Sequence, residues 1–228
     1  MKKLVVLTGA GISAESGLKT FRDAGGLWEG HDVMEVASPR GWQNDPELVL
    51  DFYNQRRRQL LETTPNTAHK AIAAAQEHFD VTIITQNIDD LHERAGSKQV
   101  IHLHGELLKV RSSEYDHLIY PWEKDLFMGD LCEKQRQLRP HIVWFGEAVP
   151  MMEPAIEEVM LADHLLIVGT SMTVYPAASL MQYAPQGCPV FFVDPRPNLG
   201  PGLRSGLHII SENATTGVPI ALEHLARI

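Results

Sequence analysis

The segment Thr8-Gly9-Ala10-Gly11-Ile12-Ser13-Ala14-Glu15-Ser16-Gly17, entered from the apolar run Leu4-Val5-Val6-Leu7, limits most what this chain can become. A short run so rich in Val reads as a strand buried on both faces. Gly9 and Gly11 lack a Cβ, so the backbone can turn sharply there and come close to a ligand. Ser13, Glu15 and Ser16 are residue types that open a helix, whose first N–H groups would face the loop. Strand, glycine turn and helix start together make an anion site, with a nucleotide pyrophosphate as the default occupant. The pattern Gly9-x-Gly11-x-x-Ala14 taken alone also fits an ordinary tight βα turn.

The continuation argues against hydride transfer. A dehydrogenase would place a second strand next, ending in an acidic residue roughly 20 positions on. Here Leu18 to Glu29 holds polar residues, the pair Gly25-Gly26 and the aromatics Phe21 and Trp28, without alternation or an apolar run. It reads as a long functional loop, suited to covering one end of a bound nucleotide.

Further along, the chain alternates between helical and strand patterns. A helix is expected from Pro46 to about Glu62 with Asp45 as N-cap, and an Ala-rich one from Thr67 to His78, capped by Asn66 or Thr67. Expected strands are 81–85, 100–104, 142–145, 164–168, 190–193 and 208–210, with helices at 153–161, 176–183 and 216–226. Residues 106–140 are the least strand-like stretch. These patterns predict an α/β fold: a Rossmann-like, mostly parallel sheet with helices on both faces, plus a smaller inserted helical module. Residues 1–30, 67–105 and 141–228 would form the main domain, and the insertions 31–66 and 106–140 the small one.

A net charge of −9 and a pI of about 5.6 argue against a nucleic-acid surface or an anionic membrane as partner. Met1-Lys2-Lys3 precedes too few apolar residues for a signal peptide, and no run approaches membrane-spanning length. Cys132 and Cys188 show no repeated spacing, as reduced thiols would. A soluble, cytoplasmic chain is expected.

Polar residues stand just past nearly every expected strand. After 81–85 comes Gln86-Asn87-Ile88-Asp89-Asp90, and His104-Gly105 closes the strand at 100–104. Gly146-Glu147 succeeds 142–145, Gly169-Thr170-Ser171 succeeds 164–168, and Asp194 succeeds 190–193. Ligands of parallel sheets sit at these carboxyl ends. The hydroxyls of Thr170 and Ser171 suit phosphate or ribose oxygens, and Gln86, Asn87 and Asp89 can grip a ribose and a carboxamide. An unperturbed imidazole titrates at about 6.5, so His104 could serve as a general base at neutral pH. A metal pair of His102 with His104 competes with that reading, but no third ligand is spaced to join it.

In order and spacing, Gly9-Ala10-Gly11-Ile12-Ser13-Ala14-Glu15-Ser16-Gly17, Thr20-Phe21-Arg22-Asp23, Thr85-Gln86-Asn87-Ile88-Asp89, His104-Gly105, Phe145-Gly146-Glu147 and Gly169-Thr170-Ser171 resemble the sirtuins, NAD-dependent protein-lysine deacylases. The resemblance implies that Gly9, Ala10, Gly11, Glu15, Arg22, Gly169, Thr170, Ser171 and Asp194 line the NAD phosphates and adenosine ribose, with Ala214 near the adenine. Phe21 would close over the nicotinamide pocket, and Gln86, Asn87, Ile88 and Asp89 would surround the nicotinamide and its ribose. His104 would be the general base. Val143, Phe145, Gly146, Glu147 and Val174 would flank an acyl-lysine peptide added as an extra strand. The implied products are nicotinamide, O-acyl-ADP-ribose and free lysine.

Two departures stand out. Sirtuins usually carry a zinc module with paired-cysteine motifs after the His-Gly, whereas residues 106–140 hold a single cysteine, Cys132. A tetrahedral thiolate site cannot be built from it, so a zinc-free module packed from Leu118, Tyr120, Trp122, Leu126 and Phe127 is expected. Asp194 also stands where many relatives have asparagine.

Tyr53 and Arg56 share a helix face. Arg56 has apolar neighbours and no carboxylate one turn away, while Arg58 can pair with Glu62; Arg57 is set as apolarly, so spacing does not choose between 56 and 57. Tyr-x-x-Arg here resembles the sirtuin class that removes succinyl, malonyl and glutaryl groups, which implies an acyl-carboxylate clamp by Arg56 assisted by Tyr53. An interdomain salt bridge is the alternative for Arg56. A mono-ADP-ribosyltransferase and a non-catalytic module holding NAD or ADP-ribose are the alternatives for the whole chain.

Overall fold

The structure, a computed structural model, describes residues 1–19, 27–197 and 206–228. Six parallel strands form the main sheet: β1 (Lys3–Thr8), β4 (Asp80–Thr85), β5 (Val100–His102), β9 (His164–Val168), β10 (Val190–Val193) and β11 (Leu207–Ile210). Their spatial order is β11-β10-β9-β1-β4-β5, so β1 is central, pairing Thr8 with Thr85 on one side and with Val168 on the other. The chain runs outward from β1 in one direction, then returns to build the other half. The crevice between the β1 and β9 ends is where such sheets bind ligands.

Side chains alternate across a strand, and both faces of this sheet are covered, which is why the strands read as unbroken apolar runs. Leu4 and Val6 face the helices α4 (Thr67–Ala74) and α7 (Ala214–Leu225), packing with Ile72, Val218 and Ala221. Val5 and Leu7 face α6 (Met152–Met160) and a 3₁₀ helix at Ala177–Tyr183, packing with Ala155, Val159 and Leu180. The helix expected at 176–183 is thus of the tighter kind.

A third core lies beside the sheet. It is built on α3 (Pro46–Glu62), which Asp45 caps by accepting the Leu48 amide. The short hairpin β2 (Leu27–Trp28) and β3 (His31–Asp32), then α1 (Val33–Val36) and α2 (Pro39–Asn44), lead into it, and α5 (Leu91–Arg94) comes after β4. Asn66 caps α4 in a capping box closed by His69.

Residues 105–142 differ from expectation. They form an antiparallel sheet in the order β7-β6-β8, made of β6 (Gly105–Ser112), β7 (Ile119–Pro121) and β8 (Leu138–Ile142). Alternation in β6 is blurred by Lys109 and Arg111, whose stems lie on half-buried surface. Residues 142–145 therefore do not resume the main sheet: Ile142 ends β8 and pairs with Gly105. Gly105 has φ 84°, and a Cβ there would stand 2.1 Å from the His141 carbonyl oxygen. Only glycine lets the chain leave His104 into this pairing. Leu50, Val110, Leu126, Cys132 and Leu138 pack beneath the small sheet, with Leu118, Tyr120 and Trp122 at its edge. Phe127, expected among them, is 61% exposed. Among the described residues no helix is long and apolar enough to cross a membrane.

Candidate active site

The two glycine turns are knit to each other. The Gly9 amide donates to the Val168 carbonyl at 3.0 Å and the Gly11 amide to the Gly169 carbonyl at 2.8 Å. A Cβ on Gly11 would lie 2.6 Å from Gly169 Cα, and one on Gly169, whose φ is 61°, 2.4 Å from the Ile12 nitrogen. These glycines thus serve loop-to-loop contact, and the Gly11 N–H is spent within the protein rather than offered to an anion. The expected helix start is also absent: two 3₁₀ turns, Ala10–Ile12 and Ala14–Ser16, take its place, because Gly17 at φ 97° turns the chain away. Glu15 is likewise engaged, accepting the Thr215 amide at 3.0 Å and the Thr215 hydroxyl at 2.7 Å. It caps α7 across 200 residues, placing a carboxylate at the positive end of that helix.

A cavity of about 980 Å³ opens at the carboxyl ends of the central strands. Gly9, Ala10, Gly11 and Glu15 line it from the first turn, Gln86, Asn87, Ile88 and Asp89 from the end of β4, and His104 from the turn after β5. Gly169, Thr170 and Ser171 come after β9, Asp194 after β10, and Ala214 opens α7. Tyr53 and Arg56 reach in from α3, and Val143, Phe145, Gly146, Glu147 and Val174 form the far wall. Phe21 and Arg22 lie outside the described residues. A volume at the upper end of the usual range for ligand pockets fits a dinucleotide, as does the ring of hydroxyls, amides and carboxylates.

Beneath the first turn is a buried polar network that spacing did not reveal. Ser13 Oγ donates to Asp89 Oδ2 at 2.9 Å and accepts Asn87 Nδ2 at 3.2 Å, with His69 Nε2 at 3.5 Å. Thr8 Oγ1 donates to Thr85 Oγ1 at 2.9 Å and meets His92 Nε2 at 3.1 Å. The His69 and His92 rings stack edge to face, their centroids 4.9 Å apart. Burial holds the His69 imidazole down to about 4 and the His92 imidazole well below its ordinary value. It raises the Asp89 carboxyl, against the opposing pull of the Leu91 amide and the Ser13 hydroxyl. A histidine on an Ala-rich helix carries no local sign that it will face a serine more than fifty positions away.

His104 Nδ1 lies 2.9 Å from the Gln86 carbonyl oxygen. A carbonyl only accepts, so Nδ1 carries the proton and Nε2 keeps its lone pair. Burial lowers the His104 pKa and the Gln86 contact partly offsets it, so the ring is neutral at pH 7. His102 is spoken for, 2.7 Å from Glu93 Oε1, so no pair with His104 arises. Among the described residues no group of three His, Cys, Asp or Glu could hold a metal.

Where α3 reaches the cavity, the Tyr53 hydroxyl accepts Trp144 Nε1 at 3.1 Å, and burial pushes its pKa up. Arg57 is fully buried and turned into the protein, donating to the Leu107 carbonyl and to Asn54 Oδ1. Arg58 pairs with Asp125 rather than Glu62. Arg56 is the arginine of the three that lines the cavity. Its Nη1 donates to the Phe52 carbonyl at 3.0 Å, and Nε is buried with no hydrogen-bond partner among the described residues. Its Nη2 lies 3.9 Å from Glu29, a neighbour the spacing on one helix could not foretell.

Residues 9–176 match the profile of the Sir2 family. The chain is 59% identical over 214 residues to an NAD-dependent protein deacylase of Helicobacter pylori strain J99, covering 94% of this chain and 91% of that one. It is 53% identical over 224 residues to an NAD-dependent protein deacylase of Bacteroides thetaiotaomicron, covering 96% and 95%. A complex of a mutant Sir2 homologue with ADP-ribose superposes with a TM-score of 0.89 at 38% identity, over 99% of this chain and 92% of that one. A structure of Sir2 bound to acetylated peptide superposes with a TM-score of 0.80 at 28% identity, over 97% and 92%. With that profile running from the first glycine turn through the far wall of the cavity, the chain belongs to the Sir2 family.

Proposed function

We propose that this chain removes acyl groups from protein lysines at the expense of NAD, and that its acyl pocket accepts acidic as well as acetyl groups. The observation that carries the reading is His104: a neutral imidazole with its Nδ1 proton tied to Gln86, lining the same cavity as the paired glycine turns. NAD, when bound, supplies a sugar carbon from which nicotinamide departs. Gly9, Ala10, Gly169, Thr170, Ser171 and Asp194 would hold its phosphates and adenosine ribose, Ala214 its adenine, and Gln86, Asn87, Ile88 and Asp89 its nicotinamide ribose. His104 Nε2 takes a proton from a sugar hydroxyl. The acyl-lysine peptide lies against 143–147 and Val174 as an added strand. The Glu147 side chain is bound inward by Arg139, so that wall works through backbone and the exposed Phe145 ring.

At the far end, an acyl carboxylate would meet Arg56. A guanidinium on a cavity wall whose Nε has no hydrogen-bond partner among the described residues is a strong attractor for an anion. Incubation with NAD and acetyl- or succinyl-lysine peptide tests the reading, with products weighed by mass spectrometry. Acylated ADP-ribose is expected. ADP-ribosylated protein would indicate a transferase, and no nicotinamide release a binding module.

A further inference from the structure

The hairpin of β2 and β3 has a two-residue turn, Glu29-Gly30, with φ of 52° and 87°. Both central residues at positive φ make the mirror-image turn that Asn, Asp or Gly favour at its first site. Glutamate there sits in a backbone region that L side chains rarely adopt, so the turn alone does not account for it. Trp28 anchors the hairpin, packing edge-on against Phe52 at 5.0 Å and Tyr53 at 6.3 Å, while His31 packs against Phe52 at 5.6 Å. These contacts hold Glu29 over the stretch of α3 that carries Tyr53 and Arg56.

In that position the Glu29 side chain is 14% exposed, close to the 13% of Arg56. It lines the cavity. Its Oε2 lies 3.9 Å from Arg56 Nη2 and 3.0 Å from Lys19 Nζ, and the Lys19 side chain is 71% exposed. One carboxylate therefore stands between a buried cation and a solvated one.

We infer that Glu29 is the resident counter-ion of Arg56 and sets the ranking of neutral against acidic acyl groups. The inference rests on the reading of Arg56 as the acyl-carboxylate site. With an acetyl group in the pocket, Glu29 keeps the guanidinium from being a buried charge without compensation. With a succinyl group, the substrate carboxylate competes with Glu29 for the same guanidinium. Glu29 then yields toward Lys19, at the cost of crowding two like charges. The residue thus tempers selectivity for acidic acyl groups and keeps the pocket usable by neutral ones.

The test compares kcat/KM for succinyl- and acetyl-lysine versions of one peptide. Glu29→Gln keeps side-chain length and removes the charge. It raises the succinyl-to-acetyl ratio by about five- to tenfold, through the peptide KM rather than the NAD KM. Glu29→Gly, which the positive φ favours, moves the ratio the same way and guards against a folding defect in the first variant. Arg56→Met is run alongside and lowers desuccinylation selectively. A change of less than about twofold in both Glu29 variants, with Arg56→Met still selective, overturns the counter-ion assignment alone. Equal loss of both activities in Arg56→Met overturns the underlying reading and this inference with it. In the Arg56→Met background Glu29→Gln no longer moves the ratio, and a persisting shift there overturns the assignment.

Discussion

Arg139 grips Glu147 with two nitrogens, Nη1 to Oε1 at 2.7 Å and Nη2 to Oε2 at 3.1 Å, while its guanidinium lies 3.3 Å above the Trp144 ring. The same carboxylate accepts the Trp144 amide at 2.8 Å, and the Trp144 indole donates to Tyr53. One chain of contacts thus runs from β8 through the 143–147 wall to the cavity side of α3. In a small sheet with no cysteine pairs, this fork fixes the 143–147 wall of the cavity.

Arg139→Met is expected to cost about 1–3 kcal/mol of stability, since it leaves the Glu147 carboxylate only the longer 3.4 Å contact with Arg111 and the Trp144 amide, and it uncovers the Trp144 ring. Urea unfolding measures the loss. Peptide KM should rise more than NAD KM, and an equal rise in both would contradict the bracing role.

Gly169→Ala should damage the cleft rather than the sheet. The new methyl must displace Ile12 or Gly11 backbone, and φ 61° disfavours it further. A loss of about 2 kcal/mol in stability and a markedly higher NAD KM are expected, read by thermal unfolding and initial rates at saturating peptide. The same substitution at Gly187, where nothing lies within 4 Å, serves as the comparison for positive φ without a clash.

The general-base role proposed for His104 requires the neutral ring. Because burial lowers its pKa below the ordinary histidine value, activity is retained as pH falls through 6.5 and is lost only below it. The kcat/KM profile of nicotinamide release checks this, and an acidic limb centred above 6.5 would contradict it. His104→Tyr should abolish release.

Buried His69 makes the fold acid-sensitive. Its folded pKa, about 4, lies below the unfolded value of 6.5, so its stabilising contribution is complete above 6.5 and is lost as pH falls toward 4. About 2 kcal/mol should disappear between roughly pH 7 and 5 from this group alone. Urea unfolding at the two pH values measures it, and His69→Asn should flatten the difference.

Arg56→Met should lower desuccinylation roughly a hundredfold, since a desolvated substrate carboxylate would lose its partner, and should lower deacetylation far less. Paired assays with the two peptides decide, and equal losses would indicate a structural salt bridge to Glu29 in place of an acyl clamp.

Much of this was legible in the chain itself. Strands buried on both faces must be apolar throughout, so Leu4 to Leu7 and His164 to Val168 betray a covered parallel sheet, and polar residues just past each strand mark its ligand rim. The starts of α3 and α4 were equally readable, because Asp45-Pro46 and Asn66 meet local needs of the backbone, whereas the one expected at Ser13 to Ser16 was not formed. Residues 105–142 were not: their pairing is antiparallel, half-exposed and blurred by long charged side chains, so no clean period survives.

By itself, then, the sequence determined the α/β layering and the set of side chains at the strand ends, since both arise from short-range backbone periodicity. Tertiary structure alone decided that Gly11 touches Gly169, that Ser13 meets His69 and Asp89, and that Glu29 stands beside Arg56. Those pairings depend on which distant segments are brought together when the sheet closes, and no local spacing encodes that distance.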